Sequence, residues 1–93
     1  MEMPRAERLY VVLDGADEPS VFREADEYKV SVYADRDGAR HEARLAGKET
    51  ITLTPDELRA KLECAWADVT HVVYYPASNV GLQVSTDRFI EVY

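Results

Sequence analysis

The sequence predicts an α+β domain, with a mostly antiparallel sheet of about five to six strands and one main helix packed on one face. Three observations support this fold: a strong helix start near residue 54, a one-sided apolar pattern over the following helix at about 55–68, and strand-like segments on both sides of it. We expect 1–93 to form one domain, with 1–7 as a frayed end.

The start of this helix is the strongest local signal in the chain. Thr54 can accept a hydrogen bond from an unpaired backbone N–H, and Pro55 suits the first helical position, where its missing N–H is no loss. Glu57 completes a capping box with Thr54. One apolar stripe, about 100° wide and suited to lie on a sheet, then follows; it consists of Leu58, Leu62, Ala65, Trp66 and Val69.

Three segments before the helix are predicted to be strands. Residues 9–13 are an unbroken apolar run, which is typical of a strand covered on both faces. Residues 28–34 and 49–53 alternate between apolar and polar side chains, as half-buried strands do. Between the first two strands, Ser20 can begin either a short helical turn or a loop.

The segment 39–46 has two readings. Asp35 to Gly38 supplies turn chemistry, and a hairpin after the strand 28–34 needs a returning strand, so we predict a strand over 39–46. The alternative is a helix, because the segment is rich in helix formers and is followed by Gly47, a typical helix-ending residue.

The chain after the helix is predicted to be sheet. Residues 70–75 have uniformly high β propensity, and residues 76–79 are turn material. Residues 80–86 alternate as a strand, and residues 89–93 are predicted to be a final short strand. Runs of strands interrupted by one helix are typical of the α+β class.

Charge and cysteine content restrict the function and its setting. With 18 acidic and 11 basic residues the net charge is −7, which opposes loose binding to nucleic acid and to anionic membranes. The one cysteine, Cys64, cannot form an intramolecular disulfide, which favours a reducing compartment. The apolar run at 9–13 is too short for a signal-peptide core, so we expect a cytoplasmic protein.

No motif in the sequence indicates catalysis. Cys64 has acidic neighbours, the opposite of the electropositive setting that activates a thiol. His41 and His71 lack the short spacing of a metal site, and there is no glycine-rich phosphate loop and no nucleophile elbow. We therefore expect no enzyme activity, no catalytic residue, no metal and no cofactor.

A partner-binding surface is the alternative to a catalytic site. The stretch 14–28 carries six acidic residues against Arg23 alone, and alternation predicts that Tyr33, one of the pair Tyr74 and Tyr75, and Tyr93 point away from the core. The predicted contact residues are Asp17, Glu18, Glu24, Asp26, Glu27, Tyr33 and Tyr74.

These residues predict a small acidic intracellular module that binds a protein with a basic surface, such as a nucleic-acid-binding protein, without contacting nucleic acid directly. By analogy of size and charge, such proteins are often inhibitors of the phage anti-defence, immunity or antitoxin type. The alternative is a homo-oligomeric structural or accessory subunit, for instance a homodimer, whose exposed tyrosine face is self-complementary.

The basic residues of 36–48 have two readings. A basic residue recurs at every fourth position in 36–48, and these side chains line up whether the segment is a strand or a helix. They are Arg36, Arg40, Arg44 and Lys48. The stripe is either a solvated face or a site for a phosphate or an acidic partner.

Overall fold

A computed structural model of the chain describes residues 8–77 and 80–92, so the predicted frayed end at 1–7 lies outside the described residues. Within these ranges seven strands form one mostly antiparallel sheet, accompanied by three helices, which confirms the α+β class. The strands are β1 (Leu9–Gly15), β2 (Glu18–Pro19), β3 (Val21–Glu24), β4 (Glu27–Tyr33), β5 (Glu49–Leu53), β6 (His71–Ala77) and β7 (Val80–Ser85). The helices are α1 (Arg36–Ala46), α2 (Pro55–Glu63) and α3 (Thr86–Val92).

Strands β1 and β4 form the centre of the sheet. Strand β1 lies between β5 and β4, and it pairs antiparallel with both. Strand β6 runs parallel to β4 on its other side, and β7 pairs antiparallel with β6. The short strands β2 and β3 continue one another, pairing first with β1 and then with β4.

The larger hydrophobic core lies on the face covered by α2 and α3. Alternate residues of the central strands point into it, as the period of two requires. Its buried members are Leu9, Val11, Val30, Val32, Leu53, Leu58, Leu62, Trp66, Val69, Val72, Tyr74 and Phe89.

Helix α1, which is additional to the one main helix predicted, covers part of the opposite face. Its buried residues Ala39 and Ala43 pack against Val12 and Tyr33. Strands β4 and β5 both pair antiparallel with β1 and therefore run in the same direction. Helix α1 carries the chain back between them, as a crossover connection does.

The strand predicted over 39–46 is wrong, and the helical alternative is what the chain adopts. Asp35 is the N-cap of α1, where its carboxylate accepts a hydrogen bond from the backbone N–H of Asp37 at 3.1 Å. Gly47 ends the helix in the left-handed conformation, with φ of 68°, and its N–H donates to the carbonyls of Ala43 and Arg44. Both ends are thus capped, and the alanine pair supplies the apolar face.

Helix α2 begins as predicted, with both hydrogen bonds of the capping box present. The Glu57 N–H donates to the Thr54 hydroxyl at 3.2 Å, and the Thr54 N–H donates to the Glu57 carboxylate at 3.0 Å. The second bond lowers the pKa of Glu57 below its usual value. The helix ends at Glu63 instead of about residue 68, and Trp66 and Val69 reach the core from the turns that follow.

Two shorter segments also differ from the prediction. Residues 89–93 were expected to be a strand, but α3 occupies Thr86–Val92 and buries Phe89 under the sheet. The Thr86 hydroxyl anchors this helix by donating to the carbonyl of Val69 at 2.8 Å. The segment after Ser20 is strand β3, because pairing with β4 overrides the weak local helix signal.

None of the helices in the described part of the chain combines the length and the apolar character that crossing a bilayer needs.

Replacing Thr54 by Ala should destabilise the fold by about 1 kcal/mol, because one N–H at the start of α2 loses its acceptor. Thr54→Ser keeps the hydroxyl and should remain within about 0.5 kcal/mol of the parent. Urea denaturation followed by Trp66 fluorescence measures both. Equal stabilities of the two variants would contradict the importance of the cap.

Candidate functional site

The acidic stretch 14–28 is part of the sheet rather than a loop. It contains the end of β1, all of β2 and β3, and the start of β4, joined by tight turns. Asp17 and Ala25 occupy these turns with positive φ values of 59° and 55°. The acidic side chains are therefore carried on two hairpin connections of the sheet, β1–β2 and β3–β4.

The first end of this stretch is bonded to α2 and to the segments that follow α1 and α2. The Lys61 ammonium donates to the Asp17 carboxylate at 2.6 Å, and the Trp66 indole N–H donates to the Asp17 carbonyl at 3.0 Å. Lys48 pairs with Asp14 at 2.5 Å. Asp17 is therefore engaged within the chain, although its side chain remains 58% exposed.

The second end of the stretch surrounds a buried lysine. The Lys29 side chain is 7% exposed, and its ammonium lies 3.1 Å from the Glu24 carboxylate and 3.3 Å from that of Glu27. It also donates to the Gln83 side-chain oxygen on β7 at 2.9 Å. The Glu24 hydrogen bond, aided by Glu27, raises the pKa of Lys29 above its usual value and outweighs the opposing effect of burial.

Glu18 and Asp26 differ from the other predicted acidic contact residues. Both are exposed, and neither forms an ion pair with any residue that the structure describes. Glu24 remains 70% exposed although it pairs with Lys29. Three carboxylates that a partner could reach lie next to one another at the β3–β4 turn, on Glu24, Asp26 and the partly exposed Glu27.

The predicted exposure of Tyr33 and Tyr74 is wrong. Tyr74 is fully buried, because it shares the face of Val72 and packs near Phe89 of α3, with ring centroids 6.4 Å apart. Tyr33 does lie on the opposite face, but α1 covers it and leaves it only 6% exposed. Tyr93 lies outside the described residues.

Tyr75 is the outward member of the pair Tyr74 and Tyr75. Its ring stacks on that of Tyr33, with centroids 4.7 Å apart and planes 11° from parallel. Gly81 on β7 makes room for the same ring, since a Cβ there would lie 2.9 Å from an edge carbon of Tyr75. The Tyr75 ring therefore lies at the boundary between the part of this sheet face that α1 covers and the part that α1 leaves uncovered.

Beyond Tyr75, no described helix covers this face of β3, β4, β6 and β7. Phe22 is its most prominent apolar side chain, 45% exposed and with its ring centroid 5.9 Å from the Lys29 ammonium. We refer to this surface as the open face; it consists of Phe22, Ser31, Val73, Tyr75, Gly81 and Gln83. The exposure of Phe22 was not predicted from the sequence, because β3 forms a strand only by pairing with β4.

The three side chains with potential catalytic chemistry lie on separate elements. His41 lies on the exposed side of α1, Cys64 is the exposed C-cap of α2, and His71 begins β6. The His71 ring lies 2.9 Å from the Thr70 hydroxyl and 3.7 Å from the Glu27 carboxylate. Among residues 8–77 and 80–92, no three His, Cys, Asp or Glu side chains are grouped as a metal site requires.

Comparison with known proteins gives no family for the chain. No protein-family model matches it, and a search of curated proteins finds no significant match. The geometry of the open face and of the acidic turn beside it is therefore what supports a function.

The buried Tyr33 should make the fold sensitive to alkaline pH. Burial, and then the negative charge of Glu42, raise the pKa of Tyr33 from 10.0 to about 12. A raised pKa stabilises the fold fully below the unfolded value, and this contribution is lost as pH rises from 10.0 towards about 12. The loss amounts to roughly 2–3 kcal/mol at about 1.4 kcal/mol per pKa unit.

Comparing the wild type with Tyr33→Phe isolates this contribution, because Lys29 titrates in both proteins. Urea denaturation across this pH range should show a steeper loss of stability in the wild type than in the variant. Parallel pH profiles would contradict the burial of an ionisable Tyr33 hydroxyl.

Proposed function

We propose that this chain is a non-enzymatic protein-binding module that engages a basic protein surface through the open face and the acidic β3–β4 turn. The observation that carries the proposal is Phe22, a nearly half-exposed aromatic side chain on an uncovered sheet face, directly beside exposed carboxylates. Interfaces commonly combine an apolar or aromatic centre with a polar rim.

The chemistry of the surface specifies the partner. Phe22, Val73 and Tyr75 supply apolar contact, and the stacked Tyr75 ring is already ordered, which reduces the entropy lost on binding. Glu24 and Asp26 supply negative charge at one edge. The Glu24 side chain is 70% exposed, and a carboxylate has several acceptor sites, so Glu24 can keep its hydrogen bond to Lys29 and still accept one from a cation of the partner.

A partner with a basic surface bordering an apolar patch fits these features. Proteins that bind nucleic acid present such basic surfaces, so the specific form that we favour is an inhibitor that occupies the surface of a nucleic-acid-binding protein. The net charge of −7 supports this form, because it steers the chain towards basic partners and away from nucleic acid itself. The proposed setting is the cytoplasm, where Cys64 stays reduced.

Phe22→Ala combined with Asp26→Lys should remove partner binding and leave the fold intact. Neither side chain anchors the core, whereas reversing Glu24 and Glu27 would strand the buried Lys29 without counter-charge. Affinity enrichment from the native host, with quantitative mass spectrometry, compares this variant with the wild type. The basic protein enriched by the wild type should be lost, and calorimetry with that purified protein gives the change in Kd.

Glu63→Lys is the matched control, because Glu63 is exposed on α2 and remote from the open face. It makes the same charge reversal as Asp26→Lys and should bind the partner as the wild type does. Equal enrichment by all three proteins would overturn the proposal.

The homo-oligomeric alternative loses part of its predicted surface, since Tyr33 and Tyr74 are buried and only Tyr75 remains. Sedimentation of the same variants tests it. A wild-type dimer that Phe22→Ala and Asp26→Lys dissociate would assign the open face to self-association.

A further inference from the structure

The arginines of α1 have no acidic partner among the described residues, whereas each of the three lysines has one. Lys29, Lys48 and Lys61 each pair with a carboxylate at 3.3 Å or less. The guanidinium groups of α1 form no ion pair with any described residue, although acidic residues outnumber basic ones by 18 to 11. We call these side chains the arginine stripe; they are Arg36, Arg40 and Arg44, all exposed.

The arginine stripe borders a groove. Two of its members, Arg40 and Arg44, line a depression of about 560 Å³ between α1 and the start of β5. The remaining lining consists of Ala43, Lys48, Glu49 and Thr50. The ammonium of Lys48 already pairs with Asp14 and donates to Ser20, so the unpaired positive charge in the groove comes from the two arginines.

The opposite wall of the groove is the free edge of the sheet. Strand β5 pairs along its full length with β1, from Leu9↔Leu53 to Leu13↔Glu49, and with no other described strand. Its sequence, ETITL, has high β propensity and carries no proline or lysine to block an added strand. The edge therefore presents backbone N–H and C=O groups that an extended peptide can pair with.

The distance between the two arginines along α1 is close to the distance between alternate side chains of a strand. Arg40 and Arg44 are four residues apart, which is about 6 Å along a helix. Alternate residues of a strand are about 6.6–6.8 Å apart and point to the same face. Thr50 lies on the α1 face of β5, so alternate side chains of a strand added beside it would face the arginines.

We propose that this groove binds an extended acidic peptide segment of another protein, which adds as a strand to the edge of β5 and places alternate carboxylates against Arg40 and Arg44. The charge complementarity is local, because interactions beyond about 8 Å are screened at physiological salt. Glu49 opposes binding at one end of the groove, so an acidic side chain of the peptide is disfavoured there. The site is separate from the open face and does not depend on the proposed function.

A short fluorescein-labelled peptide in which Glu alternates with Val and Thr is the probe, and fluorescence anisotropy measures its Kd. The Arg40→Glu, Arg44→Glu double variant should weaken binding by at least about tenfold, and the neutral pair Arg40→Gln, Arg44→Gln should also weaken it. Glu49→Gln should strengthen binding. Arg88→Glu, an exposed charge reversal on α3, and the Phe22→Ala, Asp26→Lys variant should both bind as the wild type does.

Two altered peptides separate charge from strand pairing. Replacing every Glu of the peptide by Gln should weaken binding by at least about tenfold, and a central Pro should do the same because it removes a backbone donor. Backbone amide resonances of Glu49–Leu53 should shift on titration with the parent peptide.

The inference fails if the Gln or the Pro peptide binds as well as the parent, or if no peptide binds at the highest soluble concentration. Single-stranded oligothymidine that binds more tightly than the peptide, and is lost in the Arg40→Glu, Arg44→Glu variant, would assign the groove to nucleic acid. A wild-type dimer that the same variant dissociates would assign it to a second copy of this chain. Either result would overturn an acidic protein segment as the ligand.

Discussion

Strand β1 must be covered on both faces, and the rest of the fold is arranged to meet this requirement. Leu9 and Val11 point to one side of the sheet, while Tyr10 and Val12 point to the other. A single helix can cover only one of these sides. The chain therefore supplies α2 and α3 for the first side and α1 for the second. Helix α1 packs over β1 and the end of β4 only, so the same sheet face stays uncovered over β6 and β7.

The elements that sequence reasoning identified are those whose local and tertiary preferences agree. The capping box at Thr54 is satisfied within four residues, and the alternation in β4 and β5 matches the faces on which these strands pack, so these elements form where the pattern indicates. The segment 39–46 was mistaken for a strand because a hairpin turn and a helix N-cap use the same residue types. Asp35 is in fact the N-cap of α1. Ala39 and Ala43 form a recognisable apolar face only in the folded chain, where they pack on the sheet.

The candidate site was predicted less completely, because it depends on contacts between distant parts of the chain. The acidic stretch was correctly located, but the partners of Asp17 and Glu24 are lysines at positions 61 and 29, which no local pattern reveals. The exposure of a tyrosine likewise depends on which face a helix covers. Tyr33 and Tyr74 are buried by helices that were not predicted, and Phe22 is exposed since no helix reaches it.

Helix α1 is attached to the sheet through two alanines, and this attachment has a dynamic consequence. Alanine buries little apolar surface, whereas α2 is held by Leu58, Leu62 and the neighbouring Trp66. Local unfolding therefore costs less free energy at α1 than at α2, and the amide protons of α1 should exchange with solvent first. Each such opening uncovers Val12 and Tyr33. Occupation of the groove beside α1 would then slow amide exchange across the whole helix, including residues that no ligand touches.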